Sequence, residues 1–264
     1  MTRIALGIEY QGEAFYGWQI QKGRDTVQGV LQQALSSIAQ HAVQLYCAGR
    51  TDRGVHALGQ IAHFDTTATR PINAWVRGAN TRLPKTVPIQ FAQEVDGQFH
   101  ARFSAKSRIY RYVIANQPNR PALLRNNVTW YPQPLNIDAM QKACSCLIGE
   151  HDFSSFQSAE CQSSIPMRRI LSLSVSKTHH YVIIDIEANA FLHHMVRNIA
   201  GTLLTIGLNE QPFTWMEKVL LAKDRRAAGE TAPANGLYFV QPCYPAPYSF
   251  PHASGIMMPS KTMT

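Results

Sequence analysis

The sequence lacks most of the features that mark secreted or cofactor-dependent proteins. Its 264 residues include five cysteines, irregularly spaced and without a CxxC pair, so neither a zinc ribbon nor a disulfide framework is indicated. No GxGxxG, GxxxxGK[ST], HExxH or GxSxG motif occurs, which leaves nucleotide-cofactor loops, zincins and α/β-hydrolases without support. Reduced cysteines in a cytoplasmic protein are the simplest interpretation.

Long apolar runs and an acidic excess are also missing. No run approaches 18 apolar residues, so we expect no membrane span. The opening stretch "MTRIALGIEY" is typical of a strand and does not combine a basic region with an apolar one, so secretion is not expected. Lys and Arg number 25 against 17 Asp and Glu, a net charge of +8. This balance favours a polyanionic partner.

Apolar periodicity predicts the same element order, βαββαβ, in each half of the chain. The first half should hold strands at 3–10, 42–48, 59–66 and 86–95, with helices at 27–40, where Thr26 is the N-cap, and at 71–83. The second half should hold strands at 107–116, 170–178, 181–189 and 236–242, with helices at 137–148, 191–207 and 214–226.

This order predicts an α+β protein made of two ferredoxin-like or RRM-like βαββαβ halves. The halves would share a central, mostly antiparallel sheet with helices on one side and an active-site cleft between them. We place the N-terminal half at 1–105 and the C-terminal half at 106–245. A tail at 246–264 is rich in Pro and Ser, a composition compatible with disorder.

The stretch "CAGRTDRGVHALGQ" (47–60) sets Asp52 between Arg50 and Arg53, with Gly49 and Gly54 outside them. The glycines permit a positive φ or a close approach by a ligand. A solvated ion pair in a turn is the favoured interpretation on spacing alone. The alternative is a nucleophile or electrostatic stabiliser kept ionised by nearby arginines. A phosphate cradle is disfavoured because a central carboxylate would repel phosphate.

Residues 99–112, "FHARFSAKSRIYRY", interleave cations with aromatic side chains. The cations are Arg102, Lys106, Arg108 and Arg111, and the aromatic residues are Phe99, Phe103, Tyr110 and Tyr112. Such interleaving fits bases stacked on rings while arginines hold phosphates. A partly buried strand whose arginines extend to solvent explains the pattern equally well.

The stretch "NAFLHHMVRN" (189–198) offers His193 and His194 beside a helical apolar stripe. Adjacent histidines on a helix diverge by about 100°, so they do not form a metal pair, and we predict no metal site. They are expected to pack or to contact a phosphate. Cys47, another candidate nucleophile, lies on a predicted strand and is expected to point inward.

Seven ordered segments spread over nearly the whole chain resemble the TruA family of tRNA pseudouridine synthases, which modifies positions 38–40 of the anticodon arm. They are "YGWQIQ" (16–21), "VQGVLQQAL" (27–35), "CAGRTDRGVHALGQIAHFDT" (47–66), "FHARFSAKSRIYRY" (99–112), "GEHDFSSF" (149–156), "ANAFLHHMVRNIAGTL" (188–203) and "GLYFV" (236–240). A lone GRTD is a weak signal, whereas seven ordered segments are specific.

The resemblance implies an isomerase with the pseudouridine synthase fold, acting on flipped uridines at positions 38, 39 and 40 of tRNA. It implies that Asp52 is the nucleophile, that Tyr110 stacks on the target uracil and could transfer a proton, and that Arg197 pairs with Asp52. The substrate-binding residues it implies are Arg50, Leu58, Arg70, Phe99, His100, Ala101, Arg102, Phe103 and Leu237. The family is a cytoplasmic homodimer that needs no cofactor and no metal.

The sequence departs from the family pattern at three places. Arg53 follows the aspartate where a small residue is frequent, Leu58 stands at a position associated with base displacement, and "YQG" (10–12) replaces YDG. Two other hypotheses stay open from the residues themselves. One is a tandem RRM-like RNA-binding module without activity, and the other is a metal-free ribonuclease that uses His193 or His194.

Overall fold

The computed structural model of the protein describes residues 1–161 and 163–251. The described chain forms two compact units. Residues 1–108 and 238–251 make up the first unit, and residues 109–237 belong to the second. Most of the tail predicted at 246–264 therefore lies outside the described residues.

The first unit is built on a sheet in the order β4-β1-β3-β10, with β2 paired to β3. Its strands are β1 (Thr2–Tyr10), β2 (Tyr46–Cys47), β3 (His56–Thr66), β4 (Ile89–Val95) and, from Tyr238 on, β10 (Leu237–Cys243). β1 is antiparallel to both β3 and β4. β10 runs parallel to β3 through the pairs Tyr238–His56 and Phe239–Ala57.

Helix α1 (Val27–Ala39) follows from its apolar spacing, and the prediction for this segment is confirmed. Its buried residues are Val27, Leu31, Ala34, Leu35 and Ala39. The Thr26 side chain accepts a hydrogen bond from the Gly29 amide, as predicted for the N-cap. The helix ends at Gln40, which adopts a left-handed conformation with φ of 59°.

Strand β1 is buried on both faces, although its alternating pattern predicts only one. Ile4, Leu6 and Ile8 form the expected core face, and Ala5 is also fully buried. On the second face, Gly7 lies opposite Phe91 of β4. The Phe91 ring in turn stacks on Phe250, with ring centroids 6.0 Å apart. The small residues Ala5 and Gly7 thus leave space on the second face of β1 for the Phe91 ring.

The second unit has its strands in the order β5-β9-β8-β7, with β6 parallel to β5. The elements are β5 (Ser107–Asn116), β6 (Thr129–Tyr131), α2 (Ile137–Cys144), β7 (Gly149–Asp152), β8 (Met167–Thr178), β9 (Tyr181–Ala188), α3 (Met195–Gly207) and α4 (Trp215–Ala222). The β7–β8 and β8–β9 pairs are antiparallel. The α+β class and the mostly antiparallel pairing are confirmed within each unit.

The predicted element order needs three corrections. The second half contains β6 and β7 in addition to βαββαβ, because strands of three and four residues are too short to show an alternating pattern. The helix predicted at 71–83 is present over residues 72–80, but its central part, Ala74–Gly78, is a π-helix. Helix α3 begins at Met195 and not at 191, because His194 is left-handed with φ of 63°. Across 1–161 and 163–251, every helix is too short or too polar to serve as a bilayer span.

Candidate active site

Asp52 opens a tight turn between β2 and β3. The Val55 amide donates to the Asp52 carbonyl oxygen at 3.1 Å, which closes a four-residue turn. Its third residue, Gly54, has φ of +81°, as a type II turn requires at that position. The glycine predicted to allow this conformation therefore does so. Asp52 itself is half-exposed, and Arg53 is exposed.

The backbone around Asp52 is fixed by buried polar side chains. The Tyr10 hydroxyl lies 2.7 Å from Thr51 Oγ1 and accepts a hydrogen bond from Gln60 Nε2 at 3.5 Å. The same Gln60 amide donates to the Gly49 carbonyl oxygen at 2.6 Å and accepts from the Gly49 amide at 3.3 Å. Tyr10 and Gln60 are almost completely buried. Both ends of the Gly49–Asp52 backbone segment are thus anchored.

The "YGWQIQ" stretch packs directly against the same segment. The Trp18 amide donates to the Thr51 carbonyl oxygen at 2.9 Å. Gly17 has φ of +83°, and a Cβ atom added there would lie 2.6 Å from the Thr51 carbonyl oxygen. Only glycine allows this approach. At Gly49 an added Cβ would lie 2.8 Å from Phe239, so this glycine accommodates the protein core and not, as we expected, a ligand.

Three further predicted residues of the first unit surround or follow this turn. Arg50 is exposed, and Leu58 is half-exposed on β3. Arg70 is exposed after β3, where its Nε donates to the Ile38 carbonyl oxygen at 3.2 Å. Cys47 is partly buried, and desolvation raises the pKa of its thiol to about 12, which disfavours the nucleophilic thiolate at neutral pH.

The "FHARF" segment divides into buried anchors and exposed side chains. Phe99 and Ala101 are fully buried, and the Ala101 amide donates to His63 Nδ1 at 3.1 Å. His100 caps the loop, because its Nδ1 accepts from the amides of Arg102 and Phe103 at 3.1 and 3.3 Å. Arg102 is exposed, and Phe103 is 74% exposed. Only Arg102 and Phe103 therefore present their full side chains to solvent.

Two of the four cations in residues 99–112, Arg108 and Arg111, form side-chain hydrogen bonds or an ion pair. Arg108 donates to the carbonyl oxygens of Ala48 and Ala105, each at 3.2 Å, and to that of Arg102. It thereby joins the start of the Asp52 loop to the "FHARF" loop within the first unit. Arg111 pairs with Asp185 in the second unit, with an Nε–Oδ1 distance of 2.7 Å. Lys106 remains exposed, as does Arg102.

The second unit holds the other three predicted site residues. Tyr110 is 8% exposed on β5, and its ring meets Phe191 edge-on at 4.9 Å. Leu237 is 5% exposed at the start of β10. Arg197 is half-exposed in α3, where its Nε donates to the Ala232 carbonyl oxygen at 2.7 Å. The Ala232 amide donates back to the Arg197 carbonyl oxygen at 3.1 Å.

His193 and His194 precede α3, so the helical argument that their side chains diverge does not apply. Their rings lie 4.0 Å apart with an interplanar angle of 30°. His193 Nδ1 lies 2.6 Å from the Ser158 hydroxyl, and the His193 amide donates to Cys161 Sγ at 3.4 Å. These contacts tie the segment before α3 to residues 158–161, as expected for packing histidines.

Sequence reasoning missed the residues that hold the Asp52 turn in place. Tyr10 forms part of an alternating strand and so resembles an ordinary core residue. Its bond to Thr51 spans 41 positions, a separation that no local pattern reveals. The only signal was the "YGWQIQ" motif, whose Gly17 and Trp18 pack against Thr51.

Comparison with known proteins gives a consistent match. A family model described as tRNA pseudouridine synthase matches residues 7–104 and 143–245. The chain is 54% identical over 249 residues to a tRNA pseudouridine synthase A of Tolumonas auensis, covering 94% of this chain and 95% of the relative. Proteins with the same name from Shewanella sp. (strain MR-4) and Coxiella burnetii (strain Dugway 5J108-111) are 53% and 52% identical. Those alignments cover 94% and 95% of this chain and 95% and 96% of the relatives.

Proposed function

Because the chain belongs to the tRNA pseudouridine synthase family, we propose that it converts uridine to pseudouridine at positions 38, 39 and 40 of the tRNA anticodon arm. Pseudouridine synthases are isomerases, and this chain is an enzyme of that class. The three positions follow from the TruA resemblance of seven ordered segments. The high identity over nearly the full length of the relatives supports a shared substrate class.

The observation that carries the proposal is a half-exposed carboxylate on a fixed backbone. Asp52 is accessible, while Thr51 before it is bonded to Tyr10 and Trp18. A nucleophile gains most from such preorganisation, because the entropy of positioning is already lost before substrate binds. An RNA-binding module without activity would have no use for a carboxylate held in this way near a polyanion.

The reaction requires one bond to break and one to form at the same sugar. The C1′–N1 bond of uridine is cleaved, uracil rotates, and C1′ bonds to C5, while C5 loses a proton and N1 gains one. The product is an isomer of the substrate, so no oxidant, reductant or energy source enters the balance. Asp52 acts as the nucleophile that holds the reacting nucleotide during this exchange. The uracil must first leave the base stack to reach it.

The remaining roles follow the family resemblance. Tyr110 stacks on the target uracil, and Arg197 pairs with the Asp52 carboxylate and keeps it ionised. Arg50 contacts the RNA backbone, and Arg102 and Phe103 offer an exposed cation and ring to the tRNA. The enzyme acts as a homodimer on tRNA in the cytoplasm.

The variant Asp52→Asn tests the proposal because it keeps the size of the side chain and removes its charge and nucleophilicity. We expect tRNA binding to persist, while tritium release from C5-labelled uracil and pseudouridine formation at positions 38–40 are lost. Chemical mapping of pseudouridine in tRNA treated with wild-type protein locates the modified positions. Near wild-type turnover by the variant would remove Asp52 from the mechanism, and pseudouridine elsewhere would contradict the assigned positions.

A further inference from the structure

The exposed ring of Tyr16 lies beside two arginine side chains. The Arg24 Cζ atom lies 4.3 Å from the ring centroid, and the Arg53 Cζ atom lies 4.4 Å from it. Arg24 Nη1 also donates to the Tyr16 hydroxyl at 2.9 Å. Both arginines are exposed, and Tyr16 is half-exposed. We call these three residues the Tyr16 clamp.

The two cations come from separate segments that the backbone holds in place. Arg24 lies in a short hairpin bridged to Gln21, and the Tyr16 amide donates to the Asp25 carbonyl oxygen at 2.9 Å. Gln21 Nε2 donates to the Tyr16 carbonyl oxygen at 2.8 Å. Arg53 belongs to the Asp52 turn. The clamp is therefore preorganised, and less side-chain entropy is lost when it binds a ligand.

The charges of the clamp are not balanced by ion pairs. Among the described residues, neither Arg24 nor Arg53 pairs with a carboxylate, although Glu13 and Asp25 lie in the same stretch. Both Cζ atoms lie close to one centroid, so they are less than about 9 Å apart and repel each other. A bridging anion would relieve this repulsion, and two guanidinium forks match the geometry of phosphate.

We propose that the Tyr16 clamp is a binding site for a phosphodiester group of the substrate RNA. The proposal rests on the proposed function, because a nucleotide that reaches Asp52 carries a phosphate on each side of its ribose and Arg53 directly follows Asp52. A ring that guanidinium groups already cover is a poor stacking platform for a base. The clamp therefore contacts RNA through its backbone and contributes affinity without reading sequence.

The test measures tRNA affinity of the full-length protein at several salt concentrations. Arg53→Gln and Arg24→Gln should each weaken binding roughly 3- to 10-fold near physiological salt, by loss of a phosphate contact. A plot of the logarithm of the tRNA association constant against the logarithm of salt concentration has a negative slope. In the double variant its magnitude should fall by about 1 and not by 2, because both arginines bind one phosphate. Full additivity in affinity and slope would overturn the shared site.

Matched variants separate the clamp from a general loss of charge. Arg120→Gln also removes an exposed arginine that lies over a ring, 5.0 Å from the Trp130 centroid, and should leave tRNA affinity unchanged. Tyr16→Leu removes no charge, yet it should weaken binding as much as Arg53→Gln does. Tyr16→Phe keeps the ring under both cations and should retain most of the affinity. Thermal unfolding of each variant establishes that it is folded.

The outcomes distinguish this proposal from the proposed function. Equal affinity of wild type and Arg53→Gln, or equal losses in Arg53→Gln and Arg120→Gln, would overturn the phosphate site. Neither result bears on whether the wild-type protein makes pseudouridine, which is measured separately by tritium release. A wild-type protein that binds tRNA through the clamp but releases no tritium would contradict the proposed function alone.

Discussion

The hydroxyl group of Tyr10 connects two buried polar side chains next to Asp52. It contacts Thr51 Oγ1 at 2.7 Å and accepts from Gln60 Nε2 at 3.5 Å. The Gln60 side chain in turn hydrogen-bonds both the amide and the carbonyl oxygen of Gly49. The position of the Asp52 carboxylate therefore depends on the phenol of Tyr10, a residue of β1 that is only 2% exposed.

Tyr10→Phe is expected to lower both stability and turnover. Removing the hydroxyl leaves the buried Thr51 and Gln60 side chains short of a partner, which should cost about 1–2 kcal/mol in the free energy of unfolding. Looser positioning of Asp52 should slow the single-turnover rate by roughly 10-fold. Urea unfolding and rapid-quench kinetics measure the two effects.

A double-mutant cycle provides the control for this prediction. Thr51→Val removes the other half of the same hydrogen bond, so its effect should not add to that of Tyr10→Phe. Additive losses would mean that the two side chains act independently. An unchanged single-turnover rate in Tyr10→Phe would show that the bond does not position Asp52.

Single residues also show how far sequence reasoning reaches at the site. The turn at Asp52 and the need for glycine at position 54 follow from local composition, and the structure agrees. The contacts of Tyr10 and the Arg24–Tyr16–Arg53 cluster do not follow from it. They join positions that are between 8 and 50 residues apart, and neither apolar periodicity nor turn chemistry carries information about such pairs.

At the scale of elements, His63 joins strand β3 to the "FHARF" loop. Its Nδ1 accepts the Ala101 amide at 3.1 Å, so the ring must be neutral there. Its ring also lies near Tyr46, Phe99 and His100. Burial, followed by the charges of His100 and Arg3, lowers the pKa of His63 to about 4, and Asp65 opposes this effect.

This shift makes stability depend on pH in a defined window. The unfolded His63 has its ordinary pKa near 6.5, so between about pH 6.5 and 4 the unfolded chain binds more protons than the folded one. The stabilisation is therefore fully present above that window and is lost as the pH falls through it. We expect a loss on the order of 2 kcal/mol in the free energy of unfolding.

The variant His63→Asn isolates this contribution, because an amide oxygen can accept the Ala101 amide without titrating. Urea unfolding at about pH 7 and about pH 4.5 should show a smaller difference for the variant than for wild type. Asp65, whose pKa is lowered by its hydrogen bonds from Arg3, is present in both proteins and cancels. Identical pH dependence in the two proteins would exclude His63 as the source.

The elements with long periodic patterns are those that the sequence predicts well. β1, α1 and β5 match their expected bounds closely, and β8 and β9 are found where expected. β6 and β7 are too short for periodicity to detect. The start of α3 depends on one left-handed residue, His194, which apolar spacing cannot indicate.

At the scale of the whole molecule, residues 244–251 pack against the first unit through partly exposed aromatic side chains. The Tyr244 hydroxyl donates to the Ala101 carbonyl oxygen at 2.7 Å, and that of Tyr248 donates to the Asp96 carboxylate at 3.0 Å. Phe250 packs on Phe99 at 5.3 Å between ring centroids, and also on Phe91. The sequence did not predict these aromatic contacts, because the Pro- and Ser-rich composition of the tail is typical of disorder.

Two truncated chains test this role. A protein that ends after Cys243 loses all of these contacts, whereas one that ends after Pro251 keeps them. Comparing the two removes any effect of residues 252–264. Burial of aromatic side chains predicts that the shorter chain is less stable by about 3 kcal/mol or more in thermal or urea unfolding. Equal stability would show that residues 244–251 only rest on the surface.

The parallel pairing of β10 with β3 has a consequence for biosynthesis. After residues 1–108 have been synthesised, roughly 130 further residues must be added before Tyr238. At ordinary elongation rates this delays the synthesis of β10 by a time on the order of ten seconds. Until then His56 and Ala57 lack their partners on β10, and Gly49 lacks its contact with the Phe239 ring. In the nascent chain the edge of β3 that later pairs with β10 is therefore unpaired during this time. A fragment that ends before Tyr238 is therefore expected to lack the β10–β3 pairing of the first unit.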